Sequence, residues 1–284
     1  MILIADGGST KADWIALDAN KEEAFRVRTL GLNPAVVSET ELRNRIVNMF
    51  QLMNVKEDIS EIHFYGAGCG TPKPVEILKD LLGSIFVNAK VVVSEDMLAA
   101  VYAVSGTSQA LVCILGTGSN SCYFDGKNLE MKTPSLGYTL MDEASGNYFG
   151  KKLLVDYYYD KMPEHIATKF ETQFDLDIDT VKLNLYRQPN PNMYLATFAK
   201  FMFEFKEEKY IKKMIKKGFL TFFKYRILPF QKPANTPIYF IGSIAFYFRD
   251  ILEKVAGKFG LEITDIIQRP IDNLVQFHKE KINQ

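Results

Sequence analysis

A six-residue segment near the start of the chain carries residue types that could bind phosphate. It reads Asp6-Gly7-Gly8-Ser9-Thr10-Lys11 and directly follows an apolar run at residues 2–5. Its glycines permit positive φ and a close approach of a ligand to the backbone. Thr10 and Lys11 could hydrogen-bond and neutralise phosphate oxygens, and Asp6 could hold a hydrated Mg²⁺ ion. The alternative is an ordinary tight hairpin, because Gly, Ser and Asp are common in turns.

A second glycine-rich turn, Gly116-Thr117-Gly118-Ser119-Asn120, follows another buried-strand pattern at residues 110–115. Backbone N–H groups from two such turns could bind one phosphate chain. The spacing excludes a P-loop, since no Gly-Lys pair is followed by Ser or Thr. It also excludes the dinucleotide-binding fingerprint, because Gly66, Gly68 and Gly70 are spaced differently.

The pattern of elements that positions these turns occurs twice along the chain. Each copy runs strand, glycine turn, strand, strand and helix, followed by further strands and helices. In the first copy we predict strands over residues 2–5, 13–17, 25–29, 62–65 and 90–93, with helices over 39–53, 75–82 and 96–104. In the second copy we predict strands over residues 110–115, 121–124, 129–132, 238–241 and 262–267, with helices over 145–159, 243–259 and 271–281. The middle, residues 160–230, is predicted to be helical and irregular.

The repetition predicts an α/β protein with two similar lobes and a cleft between them. We expect the N-terminal lobe to comprise residues 1–106 together with a C-terminal helix over 271–284. The second lobe would then span residues 107–270. A chain of 284 residues is comfortable for two domains of this size.

Charge and cysteine content exclude several classes of function. Lys plus Arg and Asp plus Glu number 34 each, so the formal net charge is zero and predicts no nucleic-acid or membrane partner. The three cysteines, Cys69, Cys113 and Cys122, lie far apart in sequence, which predicts neither a disulfide framework nor a metal cluster within one chain. We find no signal peptide and no apolar run near 18 residues, and we expect a cytoplasmic protein.

Three motifs together resemble those of the actin-like ATPase superfamily, which includes sugar kinases, Hsp70 and actin. The segment at residues 6–11 resembles its first phosphate motif, the turn at 116–120 its second, and Phe240-Ile241-Gly242-Ser243 its adenosine motif. Within that superfamily the chain is most similar to the N-acetylglucosamine kinase group, whose family also includes the BadF/BadG/BcrA/BcrD-type ATPases. The likeness covers nearly the whole chain. It implies two ribonuclease-H-like lobes with ATP and Mg²⁺ as cofactors.

The resemblance also implies roles for matching residues. Asp96 would be the catalytic base, accepting a proton from the sugar hydroxyl under attack. Asp6 would hold Mg²⁺ through water. The ATP-binding set would be Asp6, Gly8, Ser9, Thr10, Lys11, Gly116, Thr117, Gly118, Gly242 and Ser243. The sugar-binding set would be Asn33, Asp96, Ser119, Asn120, Gly137 and Asp142.

The position of Asp96 has a physical rationale besides the resemblance. Ser94-Glu95-Asp96 ends a predicted strand and opens a helix, where a carboxylate is stabilised by the helix N-terminus. A carboxylate can orient a hydroxyl and take its proton late during phosphoryl transfer. Simple helix capping is the alternative for Asp96 and for Asp142. For Asn33 the alternative is a turn residue before Pro34.

Two segments differ from the pattern that the resembled group usually shows. Where the group has Gly-Trp-Gly-His and then Gly-Asp-Glu-Gly-Ser, this chain has Leu136-Gly137-Tyr138-Thr139 and Met141-Asp142-Glu143-Ala144-Ser145. The resemblance implies ATP-dependent phosphorylation of N-acetylglucosamine or a related amino sugar, in a chain that could form a homodimer. Two alternatives are a non-catalytic nucleotide- or sugar-binding regulator and an ATPase activator of the 2-hydroxyacyl-CoA dehydratase type. The activator would need an iron–sulfur cluster.

Overall fold

The structure is a computed structural model that describes residues 1–233 and 235–282. The chain divides into two compact units. Unit one comprises Met1–Thr107 and the C-terminal segment from Pro270, and unit two is Ser108–Arg269. Each unit is built around one five-stranded sheet. The predicted cleft between lobes stays a prediction.

The sheet of unit one has its first strand at the centre. Its strands are β1 (Ile2–Gly7), β2 (Lys11–Leu17), β3 (Glu23–Leu30), β4 (Glu61–Gly66) and β5 (Lys90–Glu95). The order across the sheet is β3-β2-β1-β4-β5. Strands β1, β2 and β3 form an antiparallel meander, whereas β4 and β5 run parallel to β1. The end of β1 and the start of β2, which the first glycine turn joins, therefore lie at the same end of the sheet.

Helices of unit one follow the prediction with one interruption. They are α1 (Glu39–Val47), α2 (Phe50–Asn54), α3 (Pro72–Ile85), α4 (Asp96–Ser105) and a C-terminal helix (Ile271–Ile282). The predicted cap is confirmed, because Ser38 Oγ accepts the N–H of Glu41 at 3.3 Å. The single helix predicted over 39–53 is wrong. Met49 adopts an extended conformation between α1 and α2, with φ −90° and ψ 98°.

The core of unit one explains why its strand pattern could be read from the sequence. Trp14, Phe64 and Leu3 are fully buried in it. The Trp14 Nε1–H donates to Thr29 Oγ1 at 3.1 Å, which satisfies the indole within the apolar core. The C-terminal helix packs on the same unit, where Asn273 Nδ2 donates to the Ala103 carbonyl at 3.0 Å.

The sheet of unit two repeats the topology of unit one. Its strands are β6 (Ala110–Leu115), β7 (Ser119–Phe124), β8 (Leu129–Glu130), β9 (Ile238–Ile241) and β10 (Asp265–Ile267). Their order is β10-β9-β6-β7-β8. Again the first three strands are antiparallel and the last two run parallel to the first. The duplicated α/β fold predicted from the sequence is confirmed.

Unit two differs from unit one by the helices inserted between β8 and β9. Its helices are α5 (Gly146–Tyr158), α6 (Glu164–Gln173), α7 (Ile178–Tyr186), α8 (Pro191–Glu204), α9 (Lys209–Phe222), α10 (Ser243–Tyr247) and α11 (Arg249–Gly257), with a π-helical turn at Phe223–Ile227. The helix predicted over 243–259 is divided at Phe248, whose side chain is buried. The last strand is shorter than predicted. None of the described helices has the length and apolar character needed to cross a bilayer.

Candidate functional site

The first glycine turn connects β1 to β2 and is supported from behind by a neighbouring segment. The Gly31 N–H donates to the Thr10 carbonyl at 3.0 Å. A Cβ atom at Gly31 would lie 2.1 Å from the Ser9 carbonyl oxygen, so only glycine allows this contact. Asn33 Nδ2 also donates to Ser9 Oγ at 3.0 Å. The structure thus brings the predicted sugar residue Asn33 onto the predicted phosphate turn.

Asn33 also has the turn role that was the alternative prediction. Its Oδ1 accepts the Ala35 N–H at 3.0 Å, and its carbonyl accepts the N–H groups of Val36 and Val37. Its side chain is buried. The side chain is therefore held in a fixed orientation by its own turn and by Ser9.

Carboxylates are concentrated at the end of the sheet at which strand β1 ends. Burial, followed by the charges of Asp96 and Asp13, raises the pKa of Asp6 to about 7, against the effect of Lys11. Asp13 is paired with Arg28 Nε at 2.5 Å and with Lys11 Nζ at 3.5 Å. Asp6 is thus a carboxyl group whose charged form would gain from a cation.

Asp96 is the first residue of α4, at the end of the parallel strand β5. The N-cap position of this helix is Glu95, whose side chain makes no capping hydrogen bond. Burial raises the pKa of Asp96, while hydrogen bonds from the backbone of Met97 and of Asp96 itself lower it. The alternative of Asp96 as the N-cap is wrong by one position. Asp96 is instead a half-buried residue at the first position of the helix.

The titratable neighbours of Asp96 also have raised pKa values. Burial and the Asp96 charge raise the pKa of Glu95. Burial, followed by the charges of Asp96 and Glu95, raises the pKa of the Cys69 thiol to about 12. Cys69 therefore stays protonated at neutral pH and offers no nucleophile there.

In unit two, the second glycine turn rests on the start of α5. The Gly146 N–H donates to the Gly116 carbonyl at 2.8 Å, and the Asn147 N–H donates to the Thr117 carbonyl at 3.0 Å. A Cβ atom at Gly116 would meet nothing within 4 Å. The turn is thus fixed on one side by α5 and leaves open space beside Gly116.

The predicted adenosine motif abuts this second turn. Gly242 has φ +117°, and a Cβ atom there would lie 2.3 Å from the Leu115 carbonyl oxygen. Its N–H donates to the Ile267 carbonyl at 3.0 Å, and its carbonyl accepts the Phe246 N–H at 3.0 Å. Because β9 is parallel to β6, Gly242 and the turn after β6 lie at the same end of the sheet. Within unit two the structure therefore brings two of the three predicted nucleotide motifs together.

Asp142 is buried and holds the end of the segment before α5. Its Oδ1 accepts the Ser119 N–H at 3.2 Å, and its Oδ2 accepts Asn147 Nδ2–H at 2.8 Å. Burial raises its pKa despite these hydrogen bonds and the charge of Arg226. Ser145 is the N-cap of α5, since its Oγ accepts the Tyr148 N–H at 3.2 Å. The capping alternative for Asp142 is therefore wrong, and Asp142 connects the segment to β7 instead.

The other predicted sugar residues of unit two lie close by in sequence and structure. Ser119 is buried, and its Oγ is one of two fully buried side-chain polar atoms of the described residues without a hydrogen-bond partner. Asn120 Oδ1 accepts the Ser121 N–H at 3.0 Å. Gly137 has a turn role, since its carbonyl accepts the Met141 N–H at 2.8 Å.

Sequence reasoning missed residues that position this site. Asn147 and Arg226 are buried polar residues that act on Asp142, one by a hydrogen bond and one by its charge. Asn147 follows the Ser145 cap by two residues, which was the available signal. Arg226 lies in an aromatic helical stretch with no motif that would indicate it. In the part of the chain that the structure describes, no three His, Cys, Asp or Glu side chains are grouped as a metal site.

Comparison with known proteins places the chain in a family. No family model matches it, and no curated protein matches it. Among solved structures, a candidate N-acetylglucosamine kinase from Porphyromonas gingivalis is 34% identical, with a TM-score of 0.91 over 99% of this chain and 100% of that one. The chain belongs to the N-acetylglucosamine kinase-like family of that protein.

More distant structures show the fold of this family alone. A candidate N-acetylglucosamine kinase from Chromobacterium violaceum is 12% identical, with a TM-score of 0.73 over 97% of this chain and 98% of that one. A ROK-family glucokinase from Streptomyces griseus, in complex with glucose and AMPPNP, is 13% identical, with a TM-score of 0.59 over 98% of each chain. This chain therefore has the actin-like ATPase fold that sugar kinases use, with two ribonuclease-H-like units.

Proposed function

We propose that the protein is an ATP-dependent sugar kinase that transfers the γ-phosphate to a hydroxyl of N-acetylglucosamine or a related amino sugar. The observation that carries this proposal is the position of Asp96 directly after β5, at the same end of the sheet at which Asp6 and the first glycine turn lie, because β1, β4 and β5 run parallel. Membership of an N-acetylglucosamine kinase-like family supports the substrate class. Membership of the wider family that also includes the BadF/BadG/BcrA/BcrD-type ATPases is part of this proposal.

The two glycine turns have the features that phosphate binding needs. Each follows the central strand of its sheet, and the glycines of each keep side-chain atoms away from the backbone, where N–H groups could bind phosphate. Thr10, Lys11 and Thr117 would contact ATP phosphates, with Gly8, Ser9, Gly116 and Gly118 supplying the backbone. Gly242 and Ser243 would line the adenosine pocket. The glucokinase with this fold binds AMPPNP, which supports ATP as the phosphate donor.

Asp6 is the residue that would bind Mg²⁺ through water. Mg²⁺ usually keeps several waters and is held by one or two carboxylates together with substrate phosphates. The ion would supply neutralisation of the charge that develops on the phosphate oxygens. The raised pKa of Asp6 fits this role, because a nearby cation would favour the carboxylate.

Asp96 would act on the sugar hydroxyl. The hydroxyl oxygen forms a bond to the γ-phosphorus while the bond to the β,γ-bridging oxygen breaks, and ADP leaves with that oxygen. Asp96 orients the hydroxyl and accepts its proton as the new bond forms. Asn33, Ser119, Asn120, Gly137 and Asp142 would hold the remaining sugar groups. A cytoplasmic location and a homodimer stay predictions.

A coupled assay of ADP release over a panel of amino sugars tests the proposal. We expect at least one sugar to stimulate release. Asp96→Asn should lower kcat by about 10²- to 10⁴-fold, the range for loss of a general base, while ATP binding is kept. Glu95→Gln is the matched control, since it neutralises the adjacent half-buried carboxyl but leaves the Asp96 carboxylate in place, and it should change kcat by less than about fivefold.

Three outcomes would contradict the proposal in different ways. Equal activity of the Asp96→Asn variant would remove Asp96 from catalysis. Binding of an amino sugar without turnover in the wild-type protein would favour a non-catalytic regulator. Purified protein that contains iron and shows no response to any sugar would favour the ATPase activator.

A further inference from the structure

Arg226 is a buried cation in unit two whose role the sequence did not reveal. Its side chain is only 2% exposed. A guanidinium is rarely buried without partners, because removal of a charge from water is costly. Its contacts therefore show what the fold uses it for.

Among the described residues, the hydrogen-bond partners of the Arg226 side chain lie in one irregular segment, residues 133–143. The guanidinium Nε donates to Glu143 Oε2 at 3.3 Å, Nη2 lies 3.3 Å from Met141 Sδ, and Nη1 lies 3.5 Å from the Thr133 carbonyl oxygen. These contacts span both ends of the segment. One side chain thus connects its start to its end.

Arg226 itself is fixed to the sheet of unit two. Its carbonyl accepts Ser121 Oγ–H at 2.7 Å, which connects it to β7. Phe223, in the same π-helical turn, is fully buried and stacks on Phe259 and Phe240 with ring centroids at 5.5 and 6.0 Å. The turn is therefore part of the rigid core. π-Helical turns often occur at functional sites.

The segment is irregular and partly exposed. It contains no helix or strand, and Leu136 and Leu140 are 55% and 72% exposed. Asp142 and Ala144 have φ +69° and +61°, a left-handed conformation that costs non-glycine residues free energy. Such a conformation persists only where surrounding contacts enforce it. The contacts of the segment include those of Arg226 and of Asp142, a hydrogen bond from Lys151 Nζ to the Tyr138 carbonyl at 3.3 Å, and packing of the Tyr138 side chain against the core of unit two.

We propose that Arg226 is a positioning residue that holds residues 133–143 in the conformation that binds the sugar. The inference rests on the proposed function, because that function places Gly137 and Asp142 in the sugar site. Arg226 touches no substrate; it acts through Glu143, Met141 and Thr133.

The test compares Arg226→Met with Arg249→Met. Methionine keeps an unbranched side chain and removes the charge and the donors. Arg249 is a matched control on α11, because its Nη2 also donates to a carbonyl, that of Ile266 at 2.8 Å, but it does not contact the segment. Two quantities are measured on the wild-type protein and on both variants. They are initial rates over ranges of sugar and ATP concentration, and hydrogen exchange followed by mass spectrometry.

We expect Arg226→Met to raise KM for the sugar by about tenfold or more, since displaced contacts weaken substrate binding, with KM for ATP changed less than about twofold. Amide exchange in residues 133–143 should become about tenfold faster, while β6 keeps its protection. Arg249→Met should show neither effect. A purely structural role would instead lower the amount of active protein without changing either KM.

Other outcomes decide against the proposal or against the function separately. An unchanged sugar KM, or unchanged exchange in residues 133–143, overturns the role of Arg226. If Arg226→Met does not fold, Arg226→Lys is measured in the same way, since lysine keeps the charge but lacks the planar set of donors. If the wild-type protein phosphorylates no sugar, the proposed function fails, and the exchange data still decide whether Arg226 holds the segment.

Discussion

At the scale of single residues, the candidate site depends on buried polar groups that satisfy one another. Asp142 is the clearest case, because its carboxylate accepts one hydrogen bond from the backbone N–H of Ser119 and another from the side-chain amide of Asn147. Its residue type could be predicted from the sequence, and its neighbour Ser145 was correctly expected near the start of a helix. Its bonding partners could not be predicted, since they depend on how β7 and α5 meet.

Asp142→Ala should destabilise the protein by about 2–3 kcal/mol. The change leaves two buried donors without an acceptor and places alanine at φ +69°. Urea unfolding measures the loss. Asp125→Ala is the control, because the Asp125 carboxylate also accepts backbone N–H groups at 2.7 Å but lies on an exposed turn. That change should cost about 1 kcal/mol or less, and equal losses at both sites would contradict the argument.

At the scale of elements, apolar patterns predicted the strands of the described residues and the helices outside residues 160–230, where only a helical and irregular stretch was predicted. Two predicted helices are divided in the structure. One is interrupted at Met49, whose backbone is extended, and the other at Phe248, whose side chain is buried, and neither residue changes the local hydrophobic period. Single-sequence patterns report burial on a face, whereas tertiary packing decides where a helix is divided.

Gly242→Ala should disrupt the junction between β9 and the second glycine turn. The new Cβ would lie 2.3 Å from the carbonyl oxygen of Leu115, a backbone atom that cannot turn aside, at φ +117°. We expect a loss of stability of about 3 kcal/mol or more, together with weaker ATP binding in a thermal-shift titration. Gly257→Ala is the matched control at the end of α11, where a Cβ meets nothing within 4 Å. It should stabilise the protein by about 0.5–1 kcal/mol, and a similar loss in both variants would refute the steric argument.

At the scale of the whole molecule, both sheets have the same strand order around a central first strand. This duplication was visible in the sequence because the glycine turns and strands repeat in order. The C-terminal helix was also predicted, but its attachment to β4 was not. Two histidines far apart in sequence carry that attachment: the rings of His63 and His278 lie 4.3 Å apart, and Tyr65 Oη lies 2.9 Å from His278 Nε2.

This attachment predicts a loss of stability in mild acid. Burial, then the charges of His63 and Lys281, lowers the pKa of His278 to about 3, and burial lowers the pKa of His63 although Glu61 lies 3.1 Å away. Between about pH 6.5 and 3 the unfolded chain therefore binds a proton that the folded His278 does not, so stability falls as pH falls. Fluorescence of the single tryptophan, Trp14 in unit one, reports the unfolding.

The wild-type free energy of unfolding should drop by about 1–2 kcal/mol between pH 7.5 and 5.0 through His278. In His278→Gln that part of the drop should vanish, because glutamine does not titrate and can still hydrogen-bond Tyr65. His165→Gln replaces an exposed histidine on α6 and should leave the drop intact. If His278→Gln loses as much stability in acid as the wild type, the C-terminal helix is not attached through a neutral histidine, and the acid sensitivity must come from other groups.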